Sequence, residues 1–193
     1  MNKRIKLATD FYIDDYEQFE EDENKAGIAN FVFKRLSERY LIPLENVPSE
    51  FKNGFSLMAN ACLLIETYES FRQGWEDTSH NEDRSSERRI PFKSFFSREV
   101  GFSEFKYESY NFYSNVRCGI LHQGETKGGW KITREKEAPI FNKGDKTINA
   151  TKFFKELRKS LEAYRELLIS SDWDDEVWVN CRKKIFYIIQ NCE

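Results

Sequence analysis

Two side chains of the types that move protons and bind phosphate lie close together in this sequence. They are Arg117 and His122, within "RCGILH", with four residues between them. An imidazole is suited to proton transfer near neutral pH. A guanidinium is suited to holding two phosphoryl oxygens at once. Histidine is scarce here, with His80 and His122 as the two copies. His80 sits in "DTSHNED" and reads as an exposed loop residue. His122 ends an apolar helix, where free carbonyls and partial negative charge favour an imidazolium, so a simple capping role is the plain alternative. Arg117 has apolar neighbours in Val116, Ile120 and Leu121. Its head needs a partner or a solvent-filled cleft, and a buried ion pair with Glu66 or Glu69 is the plain alternative there. Residues five apart on an ideal helix are separated by roughly 140°. A long arginine side chain, or a loosened last turn at Gly119, is needed to bring both heads to one pocket.

The elements that must position this pair follow from periodicity. "AGIANFVFKRLSERY" has apolar residues at helical spacing, and Pro43 and Pro48 read as its stops. A long core helix is predicted through "SEFKNGFSLMANACLLIETYESFRQGW", with Phe51, Phe55, Met58, Cys62, Ile65, Tyr68 and Phe71 on one stripe. A polar surface loop, "EDTSHNEDRSSERRIP", follows, and then a short helix at "FKSFFSREV". The stretch "FSEFKYESYNFYSNVRCGILHQ" reads as one helix ended by Gly124. "GWKIT" and "APIFN" read as short strands, with "NKGD" as a turn, so a small β-hairpin or an extended loop is placed here. Two more helices are predicted, over "NATKFFKELRKSLEAYRELLISS", capped by Asn149 or Thr151, and over "DDEVWVNCRKKIFYIIQNC". The expected fold is all-α: a bundle of four principal helices, an extra N-terminal helix and a small β-hairpin insert. It forms a single domain over residues 1–193, with an N-terminal extension and helix at 1–48 and the bundle at 49–193. The hairpin lies near 128–146.

Composition narrows the function classes. The 193 residues carry a net charge of -3, so no global basic field draws in nucleic acid. Charge is uneven: "DFYIDDYEQFEEDENK" is acidic and reads as a solvated face, whereas "KGGWKITREKEAPIFNKGDK" is net basic and directly follows His122. In that basic run Lys127, Lys131 and Arg134 have the charge to follow a phosphate backbone, with Trp130 as a stacking surface. The alternative is a solvated hairpin around a core tryptophan. The four cysteines show no C-x-x-C spacing and read as small buried hydrophobes in a reducing compartment. No metal-ligand cluster is visible, and neither metal nor cofactor is expected. No signal-peptide layout or membrane-spanning run is present, so a cytoplasmic protein is expected.

A helical domain with "RCGILH" near the end of its third long helix resembles the HEPN superfamily (higher eukaryotes and prokaryotes nucleotide-binding domain). The resemblance covers residues 50 to 190. Cys118 stands where many members carry a polar residue, and Gly124 stands where one branch carries a modified tyrosine. The resemblance implies metal-independent cleavage of RNA by the neighbouring 2'-hydroxyl, with Arg117 and His122 as catalytic residues at a homodimer interface. Acid and base together require either two chains or a second residue type, and a two-fold dimer would supply a second copy of His122. Glu66 is an accessory candidate that orients Arg117 or His122, or else a surface carboxylate at the stripe's edge. The resemblance also implies a toxin or anti-phage defence context with an antitoxin or defence partner. The alternative functions are a non-catalytic HEPN-like module that dimerises and binds nucleotide or RNA, and a helical scaffold in which Arg117 is a core ion-pair residue.

Overall fold

The computed structural model describes residues 5–48, 50–78 and 90–192. His80 and most of the polar loop around it lie outside the described residues. Among the described residues the chain is mostly helical, with two small sheets.

The N-terminal segment begins with an antiparallel pair, β1 (Lys6–Ala8) and β2 (Phe11–Tyr12), turned at Asp10 with φ 56°. Helix α1 (Ile13–Glu21) buries Ile13 and Tyr16 and leaves most of its acidic residues in water. Helix α2 (Lys25–Leu36) starts at Asn24, whose side chain accepts the Gly27 N–H at 2.9 Å. Arg35 reaches from α2 to the Leu7 carbonyl and holds the strand pair down. The helical path does not stop before Pro43. It widens into a π-helical turn at Ser37–Leu41 and continues as α3 (Ile42–Glu45). Pro43 sits in the first turn of α3, where a missing N–H loses no helical bond.

Helix α4 (Gly54–Gln73) is central, packed by α5 (Ile90–Arg98) and by two C-terminal helices. Met58, Cys62, Ile65, Tyr68 and Phe71 are buried as the stripe predicts. Phe51 and Phe55 are not. Phe51 precedes the helix and is 58% exposed, and Phe55 lies in its exposed first turn.

The stretch from Phe102 to Gln123 is not one helix. It runs as a 3-10 segment (Val100–Phe105), a short α6 (Ser109–Asn111), a π-helical turn (Phe112–Arg117) and α7 (Cys118–Gln123). The breaks gather rings: Phe105 and Phe112 each lie 5.0–5.7 Å from both Phe96 and Phe153. Closing one aromatic cluster outweighs unbroken helical hydrogen bonding here.

The insert is a three-stranded sheet, not a two-stranded hairpin. Its order is β3 (Lys131–Thr133), then β5 (Thr147–Asn149), then β4 (Phe141–Asn142). The "NKGD" turn joins β4 to β5 antiparallel, and β3 pairs with β5 in parallel. Both strands named from the sequence therefore pair with a third, Thr147–Asn149, immediately before a helix start. That helix, α8 (Ala150–Ser170), buries Phe153, Phe154, Leu157, Leu161, Tyr164 and Leu168 at helical spacing along one face. Asn149 caps it by accepting the Lys152 N–H at 3.1 Å, and donates to the carbonyls of Glu135 and Ala138. Helix α9 (Glu176–Gln190) follows, with the Trp178 indole donating to the Leu168 carbonyl at 2.8 Å. Helix α8 packs on α2 and α4, and α9 packs on α4. Among the described residues no helix is long and apolar enough to cross a membrane.

Candidate functional site

Local backbone geometry sets the position of Arg117. The π-helical turn ends on it, and the Cys118 N–H reaches back five residues to the Tyr113 carbonyl. The guanidinium lies over the Tyr113 ring, 5.6 Å from its centroid. Glu66, 9% exposed on α4, faces it: Nε donates to Oε1 at 2.9 Å and Nη2 donates to Oε2 at 3.2 Å. This is the side-on bidentate arrangement of a guanidinium and a carboxylate. Burial alone would lower the Arg117 pKa, but the Glu66 hydrogen bonds and charge outweigh it and hold the guanidinium above its ordinary value. Arg117 therefore stays charged in a half-buried position.

His122 lies in the last turn of α7 and is exposed. Among the described residues its polar contact is Arg117, whose Nη1 is 3.5 Å from Nε2. It does not cap the helix; the Ile120 carbonyl is taken by the Gly124 N–H at 3.0 Å. The reach of the arginine side chain overcomes the angular offset, and α7 stays helical through Gly119. For Arg117 to donate to Nε2, that nitrogen must be unprotonated, which is the state a general base needs.

The turn after α7 doubles back over the site. Gly124 adopts φ 71°, which ends the helix. A Cβ on Gly119 would collide with the Glu125 carbonyl oxygen. The Lys127 N–H donates to the Asn115 carbonyl at 2.9 Å, tying the turn to the π-helical segment. Glycine at position 119 is thus what lets the His122 turn approach its own helix.

Arg117, His122 and Glu66 are brought together, and Glu66 proves to be a partly buried partner of Arg117 rather than a surface carboxylate. The other ion-pair candidate, Glu69, is fully buried and taken by Arg98, whose Nη1 also donates to its Oε2 at 3.3 Å. The Arg98 role was missed from the sequence, although a cation inside the aromatic run "FKSFFSREV" carries the same signal as Arg117. The basic track is only partly available. Trp130 is not a stacking surface: it is 5% exposed, and its ring stacks on Phe141 at 5.2 Å. Arg134 is drawn away to another end of α4, donating to the Phe51 carbonyl at 2.6 Å and to Thr151 at 3.2 Å. Lys131 is exposed and Lys127 half-buried. Cys62 and Cys181 are buried as read, Cys118 is half-buried beside the site, and Cys192 is exposed. Among the described residues no group of three or more His, Cys, Asp or Glu side chains is placed to hold a metal ion.

No protein-family model matches the chain, nor does any curated protein or any solved structure.

Proposed function

We propose that the protein is an endoribonuclease of HEPN type, cleaving RNA without a metal by attack of the neighbouring 2'-hydroxyl. The observation that carries this reading is the arginine–histidine pair: a clamped guanidinium 3.5 Å from an exposed imidazole. Glu66 occupies the Nε–Nη2 edge of Arg117. The remaining edge, Nη1 with the second hydrogen of Nη2, is the pair a phosphoryl group would accept from as charge develops on it. His122 serves as base or acid on the 2'- or 5'-oxygen. The four principal helices in this reading are α4, the helical run 109–123, α8 and α9, with α2 in front.

A homodimer completes the chemistry by supplying a second His122. A surface feature favours it. Phe55 and Leu63, 36% and 39% exposed, and half-buried Ala59 share one face of α4. Eleven residues on from Phe55, close to three whole turns, that face reaches Glu66. An exposed apolar stripe leading to the site suits burial against a second copy.

The direct test is incubation of purified protein with total RNA in EDTA. Fragments ending in 2',3'-cyclic phosphate are expected from the wild type. Cleavage that requires added magnesium or manganese would remove the HEPN reading. Binding of RNA without any scission would favour the non-catalytic module.

A further inference from the structure

A cavity with no part in the chemistry above lies between α3, the start of α4, the residue after β3 and the first turns of α8. It holds about 390 Å³, within the range of small-molecule sites. Leu57, from α4, and Glu66 are nine residues apart. They are therefore about 13 Å apart along the helix and on opposite sides of it. The cavity and the Arg117 site do not overlap.

The lining has two parts. Leu44, Leu57 and Phe154 form an apolar floor. Around it stand Arg134, Lys155, Arg158 and Lys159, against one lining carboxylate, Glu45. Three of these cations come from one stripe of α8, at positions 155, 158 and 159, in line with Thr151. They are not equally engaged. Arg158 is paired to Glu45, and Lys159 to Glu156 at 2.8 Å. Arg134 is pinned by its bonds to Phe51 and Thr151, which use Nε and Nη1. That leaves Nη2 of Arg134 and the ammonium of Lys155 without a protein partner among the described residues. A rigid guanidinium edge and a mobile ammonium thus stand over an apolar floor, with positive charge in excess. A cleft with low-dielectric walls focuses such a field on whatever enters it.

The geometry points to a binding site for a small organic anion: a compact aromatic or acyl body on Leu44, Leu57 and Phe154, with a carboxylate, sulfonate or phosphomonoester held by Arg134 and Lys155. A free nucleic acid backbone does not suit it, because the apolar floor then stays unfilled. The fixed Arg134 reads the head group and Lys155 supplies charge from the rim.

The probe is 1-anilinonaphthalene-8-sulfonate, compared with its uncharged counterpart N-phenyl-1-naphthylamine, on the full chain. One saturable sulfonate site per chain is expected. Lys155→Glu changes an exposed side chain and leaves thermal melting unchanged. It should weaken the sulfonate at least tenfold and the uncharged probe less than twofold. Leu44→Trp, which fills the cavity from a half-buried position in its floor, should weaken both. Non-saturating binding, or equal sulfonate affinity in wild type and Lys155→Glu, overturns the site; so does indifference of both probes to Leu44→Trp in a variant that melts normally. RNA cleavage does not enter any of these readouts, so the site stands or falls separately from the nuclease.

Discussion

Glu66 holds Arg117 by two of its three guanidinium nitrogens, at 2.9 and 3.2 Å, and so decides which edge faces His122. The pair links α4 to the broken helical run, so its loss is felt in stability as well as in the site. Glu66→Gln keeps one acceptor oxygen but leaves a half-buried cation unneutralised. It should cost about 1–3 kcal/mol in urea unfolding, below the full cost of breaking a completely buried pair because Arg117 retains some solvent. A cycle with Arg117→Met measures the coupling directly. A coupling near zero would mean the pair behaves as a surface ion pair. The sign of the pH effect also follows. The Arg117 pKa is raised on folding, so its contribution is fully present below the unfolded arginine pKa and is lost only in strong alkali. Its own titration leaves the coupling unchanged across the neutral range.

Gly119 and Gly124 should respond differently to alanine. At Gly119 a methyl group meets the Glu125 carbonyl, so the turn carrying His122 must move. At Gly124 nothing lies within 4 Å, and the penalty is the left-handed backbone alone. Gly124→Ala should cost about 1–2 kcal/mol, and Gly124→Asn less. Gly119→Ala should match or exceed that cost, at about 1–3 kcal/mol, and should also impair cleavage. Equal melting temperatures for Gly119→Ala and wild type would show that the close approach is not required.

Trp130 and Lys131, neighbours in sequence, should part company on mutation. Trp130→Ala removes a buried ring packed on Phe141 and should cost about 3–5 kcal/mol. Lys131→Ala should leave melting unchanged and lower the salt slope of RNA binding by about 1 if the exposed ammonium meets a phosphate. A stable Trp130→Ala with weakened RNA binding would restore the stacking role that burial removes.

The stripe on α4 gives an assembly prediction. Leu63→Arg places a charge on the exposed apolar face without touching the buried side of α4. Sedimentation at micromolar concentration should show wild-type dimer and variant monomer, with cleavage lost alongside. Wild-type protein that cleaves RNA while sedimenting as a monomer would rule out the composite site.

Helix existence was legible wherever apolar spacing was regular. On α8 the apolar spacing follows the buried face, and the cap is Asn149, one of the two candidates offered with Thr151, because packing and local capping agree there. Legibility failed where aromatic packing overrides the period. The rings of Phe96, Phe105, Phe112 and Phe153 draw the chain into 3-10 and π turns between residues 100 and 117, and no spacing rule carries that. The sheet was misread because its central strand, Thr147–Asn149, is three residues long and runs straight into a helix signal. At the site, residue types exposed Arg117 and His122, and Glu66 was in view as a partner. The burial of Trp130 and the diversion of Arg134 depend on contacts from Phe141 and Phe51, distant in sequence and outside any local pattern.

The most direct test of the proposed catalytic pair, Arg117 and His122, is cleavage and thermal unfolding measured on the same preparations of wild type, His122→Ala and Arg117→Lys in EDTA. His122 is exposed and fills no core volume, so His122→Ala should melt like the wild type and lose cleavage. Arg117→Lys keeps the charge but cannot hold Glu66 and a phosphoryl group together in fixed geometry. It should lose on the order of a hundredfold in rate, the scale of one electrostatic contact to a transition state. The account is contradicted if the wild type yields no fragments while Arg117→Lys only lowers the melting temperature, or if His122→Ala cuts RNA at the wild-type rate.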